Sequence, residues 1–222
     1  MKTVQGEIEK ALTKLLNEKI KIVASGRTDA GVSATHQVAH FDTNSTIVPT
    51  NICFAANKLL PKDIQIFSSK KVSEKFNARF SAKEKTYEYK VYVSKHIIPV
   101  YERDMLKVDE ELDIYEMKRA ANLLIGKHDF TSFSTKDNEV KNHVRIIKNI
   151  EINKNDNVFT FILTANAFLY NMVRIIIGTL LDVGKRKIDS KKIMEILNSK
   201  KRSLAGVLVP AYPLILTDVK YW

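Results

Sequence analysis

The chain has 222 residues, 45% of them apolar and 27% charged, enough to bury a core as one large domain or two small ones packed together. Thirty-six basic residues against 25 acidic ones leave a net charge of +11, a surplus that points to a polyanionic partner, nucleic acid first and an anionic membrane surface second. The single cysteine, Cys53, excludes an intramolecular disulfide and a cysteine-rich metal site and suits a reducing cytoplasm.

The chain opens on an amphipathic charged segment rather than a signal-peptide pattern. Val4, Ile8, Ala11, Leu12, Leu15 and Leu16 recur at helical spacing and predict a helix over about residues 3–17. "KIKIVAS" alternates as a strand and leads into the loop "SGRTDAGVSATHQ", and "QVAHFDT" (37–43) is the next strand. Pro49 marks a helix start before 50–60, and "DIQIFSSKKV" (63–72) reads as a further strand. After a basic segment, "TYEYKVYV" (86–93) alternates strictly, with Tyr87, Tyr89 and Val91 on one face. A helix near 113–125 ends at Gly126, and strands at about 143–153 and 157–165 flank the turn signal "NKNDN". "FLYNMVRIIIGTLLDVG" (168–184) predicts a long buried helix, followed by a short basic helix near 189–199 and a last strand, "LILTDVKYW". The longest uncharged run, 157–173, is broken by Asn166 and Asn171 and meets Arg174, so no membrane span is expected. Two α+β halves result, 1–80 and 81–222.

The charge surplus is segregated. Residues 70–95 hold eight Lys or Arg against three Glu, and 178–202 hold eight against three acidic residues, while 101–116 is acidic. Candidate RNA contacts in the first segment are Lys70, Lys71, Lys75, Arg79, Lys83 and Lys85. Tyr87 and Tyr89 lie beside them, either as core tyrosines of a strand face or as a platform for an unpaired base.

In the glycine-bracketed loop, Asp29 stands two residues from Arg27. A turn aspartate capping its own backbone is one reading; a functional carboxylate approached closely by a ligand is the other. Arg174 sits among apolar neighbours in "NMVRIIIG". It needs either a buried carboxylate partner or a path for its head to the surface. His36 and His40 fall in a predicted strand without a third ligand, so no metal site is expected.

Six blocks in order, "VQGEIEKAL", "SGRTDAGVSATHQVAHFDT", "FNARFSAKEKTYEYKVY", "GKHDFTSF", "FLYNMVRIIIGTLLDVG" and "DVKYW", resemble the tRNA pseudouridine synthase A family over essentially the whole chain. The family's usual preceding strand, with its Tyr-x-Gly…Gly-x-Gln-type block, is not seen ahead of "VQG"; Ser33 stands in place of a usual His, and Pro213 in place of a usual Gly. The resemblance implies the α+β pseudouridine synthase fold, with two split β-α-β (ferredoxin-like) halves around a mostly antiparallel central sheet and a cleft between them. It further implies a cofactor-free, cytoplasmic, homodimeric isomerase converting uridine to pseudouridine at positions 38–40 of the tRNA anticodon arm. Asp29 matches the family's catalytic aspartate, Arg27 the arginine that helps the base leave the helix, Tyr87 the base-stacking tyrosine and Arg174 the arginine paired with the aspartate. A guanidinium fork would hold that carboxylate bidentately. A shortened RNA-binding homologue with impaired catalysis is the alternative expectation.

Overall fold

The structure is a computed structural model that describes residues 3–135 and 140–222. In chain order the elements are α1 (Val4–Leu16), β1 (Val23–Ala24), β2 (Ser33–Ala34), β3 (Ala39–His40), α2 (Pro49–Asn57), β4 (Glu84–Val93), β5 (Leu106–Val108), α3 (Ile114–Leu124), β6 (Gly126–Asp129), β7 (Val144–Asn155), β8 (Val158–Ala165), α4 (Met172–Gly184), α5 (Ile193–Ser199) and β9 (Leu214–Lys220). The chain forms two compact units. No described helix is long and apolar enough to cross a membrane.

The first unit comprises the chain up to Gly26 together with Val38–Ser81. Helix α1 begins at Thr3, whose hydroxyl accepts from Gly6 N (3.0 Å), and stops at Asn17, where φ turns positive. Its apolar face contributes Leu12 and Leu16 to a core with Ile20, Ile22, Ile52 and Ala56. Backbone pairing here is scant. The predicted strands 19–25 and 37–43 form a two-residue ladder, Val23↔His40 and Ala24↔Ala39, extended by Ser25 N donating to Val38 O (2.8 Å).

The strand expected over 63–72 is absent as a ladder. Its period-2 alternation survives, with Ile64 and Ile66 half-buried between exposed Asp63, Gln65 and Phe67, but none of the described strands pairs with it. A side-chain amide substitutes: Asn57 Nδ2 donates to Ile66 O and Oδ1 accepts from Ile66 N, both at 2.8 Å. Alternation reports which side chains face inward; it does not supply a neighbour for the backbone.

The second unit comprises Arg27–Gln37 and Ala82–Trp222. Its seven-stranded sheet runs β2-β9-β4-β8-β7-β6, with β5 lying parallel to the end of β4. Along that order the β2–β9 pair is parallel and the other four pairs are antiparallel. Strand β4 is central and pairs along its length with β8. Tyr89, Val91, Phe161, Leu163 and Ile152 are buried in this sheet, and Met117 and Leu124 of α3 are buried with them. Each such side chain contributes about 1.5–3 kcal/mol of burial.

Helix α4 starts later than its apolar pattern predicts, at Met172 instead of residue 168. Asn171 adopts a left-handed conformation (φ 61), which Asn tolerates better than most residues. Gly178 in α4 allows a near approach, since a Cβ there would lie 1.9 Å from Val207 O. The strap 206–211 therefore rests directly on α4, held also by Gly206 N donating to Thr179 Oγ1 (2.9 Å).

The loop bearing Asp29, counted with the N-terminal half in the sequence reading, groups with the larger unit. Strand β2 follows it onto β9, and Thr35 N donates to Leu216 O (3.0 Å).

Candidate active site

Asp29 closes a short turn in which its carbonyl accepts from Val32 N (3.1 Å). Gly31 follows at φ +88, a conformation open to glycine at little cost. The turn presents the Asp29 carboxylate to the first turn of α4. There Arg174 Nη1 donates to Asp29 Oδ2 (3.0 Å) and to Asn171 Oδ1 (2.9 Å), while Nε donates to Val209 O (2.8 Å).

The pair is three-quarters or more buried, with side-chain exposures of 14% for Arg174 and 25% for Asp29. The carboxylate is held by one guanidinium nitrogen, not bidentately. Nε is committed to the strap carbonyl at Val209, and Nη1 is shared with Asn171.

On β4, alternation places Tyr87 and Tyr89 on the same face. Tyr87 is 9% exposed, and its ring meets Phe168 edge to face (5.3 Å, 85°). Burial, with the nearby Asp29 carboxylate adding, pushes the Tyr87 hydroxyl up to about 12, so it stays protonated at neutral pH and can donate a hydrogen bond. Tyr89 is fully buried and donates to Pro210 O (3.0 Å). Its hydroxyl is pushed up by burial foremost, with Tyr212 adding and Arg174 opposing. Successive strap carbonyls, Val209 and Pro210, thus accept from Arg174 and Tyr89.

Arg27 is exposed and takes no part in the Asp29–Arg174 pair. Lys70, Lys71, Lys75 and Arg79 are exposed in the first unit; Lys83 is exposed and Lys85 half-buried in the second. The other basic segment is partly neutralised by the fold. Lys185 and Lys187 pair with Glu110 (2.9 and 3.2 Å), Arg186 with Asp113 (2.8 Å) and Lys200 with Asp129 (2.8 Å). The acidic stretch that looked separate in sequence lies against the cations. His40 has a structural use: Ala78 N donates to its Nδ1 (3.1 Å).

The site therefore joins a partly buried carboxylate–guanidinium pair to a buried tyrosine whose hydroxyl stays protonated. The family profile described as tRNA pseudouridine synthase matches residues 1–81 and 120–222. The chain belongs to the tRNA pseudouridine synthase family. It is 41% identical over 220 residues to tRNA pseudouridine synthase A of Acetivibrio thermocellus, covering 99% of this chain and 90% of that protein. To the enzyme of that name from Ruminiclostridium cellulolyticum it is 43% identical over 221 residues, with the same coverages. To tRNA pseudouridine synthase A 1 of Bacillus cereus it is 43% identical over 222 residues, again covering 99% and 90%.

Within this pseudouridine synthase, four contributors to the site escaped the sequence reading: Phe168, Asn171, Tyr89 as an anchor, and the Val209 carbonyl. Asn171 had a visible signal, an amide inside an otherwise apolar helical pattern. Val209 acts through its backbone, and a backbone acceptor leaves no mark on residue type.

Proposed function

We propose that this chain isomerises uridine to pseudouridine in the anticodon stem-loop of tRNA, at positions 38–40, with Asp29 as the catalytic carboxylate. The observation that carries the reading is the Asp29–Arg174 pair, part-buried on the strap and close enough to Tyr87 for its charge to act on that hydroxyl. The reaction breaks N1–C1′, turns the uracil and forms C5–C1′; the C5 proton leaves and N1 recovers one, so the product is an isomer. A carboxylate at the ribose can attack C1′ or remove the C2′ proton, and in either route Arg174 Nη1 holds it by a hydrogen bond (3.0 Å). Tyr87, backed by Phe168, is the surface on which the uracil stacks. Arg27, exposed two residues before Asp29 in the chain, assists displacement of the target from its stem.

Lys70, Lys71, Lys75, Arg79, Lys83 and Lys85 supply phosphate contacts in this reading, supported by the net charge of +11. The free, buried thiol of Cys53 suits a cytoplasmic setting. The family resemblance supports a homodimer, which light scattering would read directly. Tritium release from tRNA carrying 5-tritiated uridine tests the activity. Wild-type chain is expected to release label and Asp29→Asn to lose at least about 10³-fold in rate, since the substitution removes the reacting group. Intact chain that binds tRNA without release sinks the reading. Affinity should also fall steeply with salt; a flat dependence removes the lysines from the interface.

A further inference from the structure

Asn171 is joined on both sides. Its Oδ1 accepts from Arg174 Nη1 (2.9 Å), and its Nδ2 donates to Thr135 Oγ1 (3.0 Å). Thr135 is itself fixed, because its backbone N donates to Tyr170 O (3.2 Å) in the loop that delivers Asn171. The result is one chain of hydrogen bonds from Thr135 through Asn171 and Arg174 to Asp29. Asn171 also occupies the left-handed position (φ 61) from which α4 begins, and its side chain does not cap that helix. A residue chosen only for that backbone shape would be glycine, which adopts it more readily and carries no side chain.

Arg174 Nη1 has two acceptors and Nε a third. Of the three, the Val209 carbonyl and the Asn171 amide are neutral and held by the fold, whereas Asp29 sits on a turn. A guanidinium attached to a long side chain keeps one orientation only when fixed acceptors surround it. We infer that Asn171 is a positioning residue for the reaction: it aims the Arg174 guanidinium at Asp29, and Thr135 fixes the amide that does so. The inference rests on the proposed isomerase activity and adds a residue that acts through Arg174, not on substrate.

The test pairs a rate with a spectroscopic signature. Asn171→Gly preserves the left-handed backbone and removes the amide. Its single-turnover rate of tritium release should fall about 10- to 100-fold, the scale of a small misplacement at a reacting centre. Its Tm should stay within about 2 °C, because the backbone is not strained. Nitrogen-15 spectra of the guanidinium, assigned by loss of signal in Arg174→Lys, should show separate Nη1 and Nη2 lines in wild type that merge in Asn171→Gly as rotation is freed.

Thr135→Ser should keep wild-type rate, and Thr135→Val should lose about threefold, the scale of one neutral hydrogen bond. The double variant Asn171→Gly/Thr135→Val should be no slower than Asn171→Gly, since both act through one amide. A wild-type rate in Asn171→Gly overturns the inference, and additive losses in the double variant remove Thr135 from it. If the wild-type chain releases no tritium, the isomerase reading fails. The Nη lines still decide whether Asn171 holds Arg174, and unmerged lines overturn that.

Discussion

The two units place alternating sequence in register by different means. In the second, β4 exchanges backbone hydrogen bonds with β8 along its length and with β9 or β5 on its other edge. In the first, the described strands pair over a two-residue ladder extended by one bond from Ser25 N to Val38 O, and Asn57 holds Ile66 by its side chain. A backbone ladder survives most substitutions because every residue carries its bonds. A side-chain clamp depends on one residue type. Asp29, Arg174, Asn171 and Tyr87 all belong to the laddered unit, where backbone position is least sensitive to any single side chain.

The largest effect on stability is expected where the laddered unit is most tightly packed. Gly178→Ala puts a methyl 1.9 Å from Val207 O, a backbone atom that cannot swing away. Overpacking of this kind costs about 1–3 kcal/mol, and Tm should drop by about 2–4 °C for each kcal/mol in a unit of this size. The strap must lift, taking the Val209 carbonyl from Arg174, so the rate of isomerisation should fall together with Tm. Unchanged Tm and rate would show that the strap yields freely and that the site does not depend on it.

That contact also marks where sequence reading stops. Helices α1, α2 and α3 and the strands β4, β7, β8 and β9 are legible because periodicity and capping residues are local properties. The Asp29–Arg174 proximity was suggested by the cost of an arginine among apolar residues. Short pairings such as Ser33↔Ile215 and Val91↔Leu106 were not legible, because two or three residues carry no period. The late start of α4 was missed for a related reason: apolar spacing continues through Phe168 and Leu169, but Leu169 is buried from a loop. The Arg174 Nε–Val209 bond joins residues 35 apart through a carbonyl that every residue possesses.

Asn57→Ala probes the side-chain clamp in the first unit. It leaves Ile66 N and O without partners in a part-buried position, at about 1–3 kcal/mol for an unsatisfied buried group. Amide exchange at Ile66 should accelerate while that of β4 and β8 stays unchanged. The matched change in the laddered unit is Thr164→Val, which breaks the cross-strand Thr86–Thr164 hydroxyl contact (2.9 Å). It should cost less than about 1 kcal/mol, because the strands remain paired by backbone. Equal costs at the two sites would abolish the distinction between clamp and ladder.

The smallest effect concerns charge. Glu110 accepts from Lys185 and Lys187, and those bonds, Lys185 first, lower its carboxyl to about 2 from an ordinary 4.5. Its side chain is 46% exposed, so solvent screening limits the pair to about 1 kcal/mol or less. A carboxyl whose pKa is lower folded than unfolded stabilises above its unfolded value, and the contribution is lost as pH falls through the folded value. The Tm difference between wild type and Glu110→Gln should therefore be constant from pH 7 to about 5. It should shrink below about pH 4.5 and vanish near pH 2. A difference that persists at pH 2 would mean that Glu110 acts through packing. The laddered unit would then depend on a single side chain at this edge much as the first unit depends on Asn57.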